Sequence, residues 1–132
     1  MLRQALETTA MVLLLAGMAH GQGAKLAPSE AKEFIGTWVF TMSEPPGAQE
    51  TVRIMEKGGR IVASVQAQQF PPLDVSDVAK FGEVLILGAT RFENGKPVQA
   101  LIILRPMGGD TMSIIQELEG STITKRGSGK KQ

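Results

Sequence analysis

From Gly36 onward the chain alternates apolar and polar residues in short runs, separated by Gly, Pro, Asn and Asp. A period of two sends successive side chains to opposite faces of a strand. In Gly36-Thr37-Trp38-Val39-Phe40-Thr41-Met42, which holds the single Trp, Trp38, Phe40 and Met42 face inward and Thr37, Val39 and Thr41 outward. This strand extends over 37–43 and is ended by Glu44-Pro45-Pro46-Gly47. Further strands are expected over 50–56, 60–68, 73–78, 83–92, 97–105, 111–119 and 121–126. Gly58-Gly59 and Asn94-Gly95 fit two-residue hairpin loops. Phe70-Pro71-Pro72 interrupts the ladder, because Pro has no N–H to donate. Lys80-Phe81-Gly82, the loop 106–110 and Gly120 supply the remaining turns. Ahead of the first strand, residues 28–35 read as one or two helical turns, with Ser29 as cap, Glu30 near the positive end and Gly36 as the stop.

Eight short hairpin-linked strands, with no helix long enough for a crossover, predict an all-β antiparallel up-and-down meander preceded by a short helix. Closing it into a small barrel removes both exposed edges; a two-sheet β-sandwich is the alternative.

Parity across the hairpins assigns faces. Around Gly58-Gly59, Val52 opposes Val65, Ile54 opposes Ala63 and Glu56 opposes Ile61, giving one apolar face. In the seventh strand Met112, Ile114, Gln116 and Leu118 share a face, so Gln116 is a polar member of an apolar row. Such a side chain pairs within the protein or orients a ligand. Around Asn94-Gly95 the pattern changes: Leu85, Leu87, Ala89 and Arg91 oppose Leu104, Ile102, Ala100 and Val98, while Ile86 and Gly88 oppose Ile103 and Leu101. Both faces are apolar, and a sheet with one wet face does not look like this. A partner subunit, the N-terminal segment or a second layer, as in a sandwich, must cover the second face; homodimerisation is the preferred reading, with Leu85, Leu87, Leu101, Ile102, Ile103 and Leu104 as interface candidates.

The N-terminus changes the picture. Arg3, the apolar run at 10–19 and the small residues of Gly17-Met18-Ala19-His20-Gly21 have the layout of a secretory signal peptide over 1–21. The run is too short to span a bilayer, which takes about 20 apolar residues. Residues 22–28 would be a flexible lead-in, 29–126 the domain, and the basic, Gly-containing 127–132 a mobile tail. The expected location is secreted or periplasmic. There is no Cys, hence no disulfide framework and no thiolate chemistry. The tail has no interleaved aromatic residues to stack bases, so no nucleic-acid partner is expected.

A short helix, then Gly36-x-Trp38 on the first strand, then a meander ending in a basic residue, resembles the lipocalin-like (calycin) barrels, and in particular their small secreted forms in bacterial envelopes. The resemblance implies that Trp38 lies at the closed end of the barrel and that a basic residue of the last strand packs across its ring. Carried over, Gly36, Trp38 and Arg126 form the closure, with Lys125 as the rival to Arg126. A cation over an indole face is a favourable contact.

Histidine occurs once, at His20 within the expected leader, and Tyr is absent. The expected mature chain therefore lacks the groups for Ser-His-Asp or Cys-His nucleophile systems, His-ligated haem and ordinary zinc sites. No cofactor and no metal are expected, and Asp74 and Asp77 read as turn and edge residues. As the resemblance implies, the first reading is an exported barrel that binds a small hydrophobic ligand. The candidate lining is Phe40, Met42, Val52, Ile54, Ala63, Val65, Met112, Ile114 and Gln116. The alternative is an envelope protein–protein interaction module with a filled core; a barrel isomerase or cyclase is a third.

Overall fold

A computed structural model describes residues 26–44, 46–67, 73–122 and 124–132. The expected leader and most of the lead-in, His20 and the Phe70-Pro71-Pro72 break lie outside the described residues. A 3-10 helix, Pro28–Phe34, precedes eight strands: β1 (Gly36–Met42), β2 (Gln49–Lys57), β3 (Arg60–Ala67), β4 (Leu73–Phe81), β5 (Val84–Glu93), β6 (Lys96–Gly108), β7 (Thr111–Leu118) and β8 (Thr124–Lys131). Each strand pairs antiparallel with the next, and β8 returns to β1, so the meander closes into a barrel. This architecture is compatible with a calycin-like fold, and one continuous sheet replaces the two-sheet alternative. Among the described residues, β3 and β4 pair at Ser64–Asp74 and Val65–Leu73.

The hairpin registers expected from parity are present. Val52 faces Val65, Ile54 faces Ala63, Leu85 faces Leu104 and Leu87 faces Ile102. Asn94, with φ 53°, and Gly95 turn the β5–β6 hairpin. A one-residue slip would exchange inside for outside, so these registers are held by the burial of one face.

Four elements differ from the sequence expectation, the first being β4, which runs on through Lys80 and Phe81, expected as a turn, and pairs there with Leu85 and Val84. The helix is capped by Ala27, not Ser29: the Glu30 carboxylate accepts from the Ala27 N–H at 3.4 Å, and Pro28 takes the first helical position. β6 runs on through Pro106 to Gly108 by way of a bulge, which absorbs the Pro that cannot donate to a regular ladder. Finally, the tail expected at 127–132 is mostly strand. Gly127 to Lys131 pair with Met42 to Trp38, and Gln132 N–H donates to the Thr37 carbonyl at 2.9 Å. β8 carries no apolar side chain, so backbone ladders to β7 and β1 hold it in place.

The lower half of the barrel is closed by the helix. Phe34 and Ala31 are fully buried beneath Phe40, Val52, Ile54, Leu85 and Leu104 in one cluster. The indole N–H of Trp38 donates to the Phe34 carbonyl at 2.8 Å, tying floor to wall.

Candidate functional site

The closure at Trp38 corrects the expected partner. Lys131, directly opposite Trp38, places its ammonium 5.9 Å from the ring centre. Arg126 stands five positions earlier in β8, is exposed, and has the parity of the outward residues Ser128 and Lys130. Lys125, the rival, faces Gln116 at the other end of the strand. Gly36 has φ 140°, a conformation that favours glycine, and the stem of Lys131 lies against it. Trp38 is thus sealed from below by the helix and laterally by an aliphatic stem that carries its charge out to water.

The expected lining residues do converge. Phe40, Met42, Val52, Ile54, Ala63, Val65, Met112 and Ile114 belong to one interior cluster. Phe40, Val52, Met112 and Ile114 have no accessible surface, so no water-sized space adjoins them. The half of the barrel above the helix is therefore packed side chain against side chain.

The opposite end is different in character. Glu50, on β2 between Phe40 of β1 and Ala67 of β3, is 8% exposed and is the buried charged residue of the described chain. Its Oε1 accepts a hydrogen bond from Nε2 of Gln116 on β7. The two strands are separated in the wall by β1 and β8, so this bond crosses the interior instead of following the sheet. Gln116 faces Lys125 on one side and Ile102 on the other. Half-buried Arg91 shares the parity of Leu85, Leu87 and Ala89, and lies next to the β5–β6 turn at the same end. Small residues (Ala67, Ala89, Ala100 and Gly127) supply the neighbouring wall. The result is a polar end above a packed apolar base.

Glu50 was not among the sequence candidates, although its parity with Val52 and Ile54 places it on their face. Four of the six interface candidates are also corrected: Leu85, Leu87, Ile102 and Leu104 are interior. Leu101 and Ile103 do stand on the outer face, in a second cluster with Val84, Ile86 and Ile115. Asp77 pairs with Gly88 on the outer register and accepts from the Ser76 hydroxyl at 3.3 Å. Among the described residues no group of three His, Cys, Asp or Glu side chains could hold a metal. A depression of about 580 Å³ at Lys57, Gly58, Gly59, Arg60 and Val62 lies on the β2–β3 hairpin, at the opposite end from Glu50. No family model, curated protein or solved structure matches the chain.

Proposed function

We propose that this is an exported barrel of lipocalin-like kinship that binds one small, mainly apolar molecule at the Glu50 end, without transforming it. The observation that carries this reading is the Glu50–Gln116 bond across the interior. A carboxylate withdrawn from water needs partners, and it offers about four acceptor positions. Gln116 fills one of them, which leaves capacity for a donor on the ligand. An amine or hydroxyl on an apolar body suits the arrangement, and the small side chains of Ala67 and Ala100 keep the amount of wall that must yield to the body low. The packed base moves the site away from Trp38, so the ligand meets the upper members of the expected lining, Met42 and Gln116, and not Ile54 or Ala63.

The test is a titration of the protein with two fluorescent probes of matched size, a dansyl-alkylamine and a dansyl-alkylcarboxylate. The amine probe binds saturably and loses about tenfold in affinity in Glu50→Gln, the loss of one charge-assisted hydrogen bond. Ala100→Phe, which fills the Glu50 end, abolishes binding. No saturable binding, or binding indifferent to both substitutions, overturns the proposal.

A second reading, an envelope interaction module, is favoured by the packed lower core and by the outer apolar cluster on β5–β7. Its test is the oligomeric state of the protein and of Ile103→Lys, expected as dimer and monomer respectively.

A further inference from the structure

A single apolar side chain in water needs no partner, but several gathered at one end of a barrel do. Among the described residues, Phe81 is 64% exposed, Met107 61% and Met55 39%. In an up-and-down barrel the even strands end where β1 begins, beside the helix. Phe81 closes β4, Met107 lies in the bulge that ends β6, and Met55 stands two residues before the end of β2, so all three point to the helix end. Phe81 pairs with Val84 of the outer cluster and shares its outward parity. Arg105 follows Leu104, the partner of Leu85, so Phe81 and the end of β6 are two strands apart, at about 10 Å.

Cations flank each of these apolar tips. Lys80 precedes Phe81, Arg105 lies two residues before Met107, and Lys57 and Arg60 face each other across the hairpin beyond Met55, all four exposed. Like charges directly opposite one another weaken a hairpin unless an anion lies between them. Lys130 and Lys131 reach the same end, where the Lys131 N–H donates to the Asp110 carbonyl at 2.9 Å beside the β6–β7 turn. Against these six cations the strand ends carry three carboxylates, Glu56, Glu83 and Asp110. The helix, with Lys32 against Glu30 and Glu33, leaves the excess positive.

We infer that the helix end of the barrel docks on the surface of an anionic lipid bilayer. Apolar side chains on separate tips suit a fluid surface that closes around each one, whereas a folded protein partner takes a contiguous patch. Phe81 and Met107 enter the boundary between headgroups and acyl chains while the cations meet phosphate. A nucleic acid calls for several rings to stack on, and Phe81 is the exposed ring at this end. Docked in this way, the barrel turns its Glu50 end to water.

The absence of cysteine allows a direct test in the full chain. Phe81→Cys, Met107→Cys and Phe92→Cys each carry one environment-sensitive nitrobenzoxadiazole probe; Phe92, 70% exposed at the opposite end, is the control. On mixed phosphatidylcholine–phosphatidylglycerol vesicles, emission from 81 and 107 should move to shorter wavelength and emission from 92 should stay. Lys80→Glu/Arg105→Glu, at two exposed positions, should weaken vesicle binding in flotation at least about tenfold, since each cation near an anionic surface counts for about fivefold. Raising the salt should weaken the parent in the same sense. An unmoved probe at 81 and 107, an equal shift at 92, or undiminished binding by the charge-reversed variant overturns the inference. So does an equal shift at 81 on adding heparin, which would make the cations a general polyanion patch. Circular dichroism on each variant confirms that folded chains are compared.

Discussion

Gly129 of β8 lies directly opposite Phe40 of β1, and the ring of Phe40 occupies the space that a side chain at 129 would need. A β-carbon there would stand 2.7 Å from Phe40 Cδ1 and 2.9 Å from Phe40 Cα. Two residues away, a β-carbon at Gly127 would stand 2.8 Å from Met42 Sδ and 2.6 Å from the Thr41 carbonyl oxygen. The last strand therefore acts as a bare backbone wall over which two β1 side chains fold. Gly129→Ala should cost about 1–3 kcal/mol, the usual penalty of overpacking. Ser128→Ala, between the two glycines and exposed, should stay within about 0.5 kcal/mol of the parent. Urea unfolding of the two variants separates a packed strand from a mobile tail, on which both changes would be silent.

The same strand marks where sequence reasoning stops. β1 to β7 announce themselves because apolar residues at alternate positions have one face to bury, and because Gly58-Gly59 and Asn94-Gly95 fix two registers. Thr124–Lys131 has no apolar residue, so no periodicity carries the strand expected over 121–126 on to Lys131. Its order comes from two non-local ladders, to β7 and to β1, which become visible only when the barrel closes. The Glu50 end was half legible. Gln116 stood out as polar in an apolar row, but Glu50 lay at the edge of a strand, where a charge looks ordinary. The two are 66 residues apart in sequence, and nothing local joins them.

Lys131 over Trp38 gives a second prediction. Lys131→Ala removes both the cation and the stem that shields the ring, and should cost about 0.5–1 kcal/mol. Trp38 emission should shift to longer wavelength as water reaches the indole. Arg126→Ala should change neither stability nor emission, being outward and exposed on the same strand. A larger effect at 126 than at 131 would reverse the assignment of the closure.

The floor depends on one bond and one ring. Trp38→Phe keeps most of the apolar volume but leaves the Phe34 carbonyl unpaired in a buried setting, at about 1–3 kcal/mol. Phe34→Ala removes a fully buried ring and should cost about 3–5 kcal/mol. The double variant should cost less than the sum, since both side chains are packed in one buried cluster. Strict additivity in denaturant unfolding would mean that helix and wall are independent.

Parity on β6 separates inside from outside within one residue. Ile102→Lys places an unpaired charge in the packed interior and should cost at least about 3 kcal/mol, enough to unfold much of the chain. Ile103→Lys lets the ammonium reach outward, so the barrel should stay folded with native near-ultraviolet dichroism. Equal damage from both would argue that the outer face is as enclosed as the core.

The pair at the Glu50 end separates a binding site from a structural element. If Glu50 were there for stability, removing it together with its partner would weaken the fold. A buried carboxylate is costly to desolvate, however, and replacing a buried polar pair by apolar residues of similar size is often neutral or stabilising, by up to about 1–4 kcal/mol. Gln116→Leu alone strips Glu50 of its cross-barrel donor, and should destabilise by about 1–3 kcal/mol. Glu50→Leu/Gln116→Leu should recover that loss and reach or exceed the parent in thermal unfolding, while losing the amine probe altogether. Stability gained as binding is lost is what a group retained for recognition produces, because the fold then tolerates the charge only for the sake of the ligand. A double variant destabilised by the sum of its parts would instead make the pair an ordinary brace between β2 and β7, and would remove the main support for a ligand at this end of the barrel.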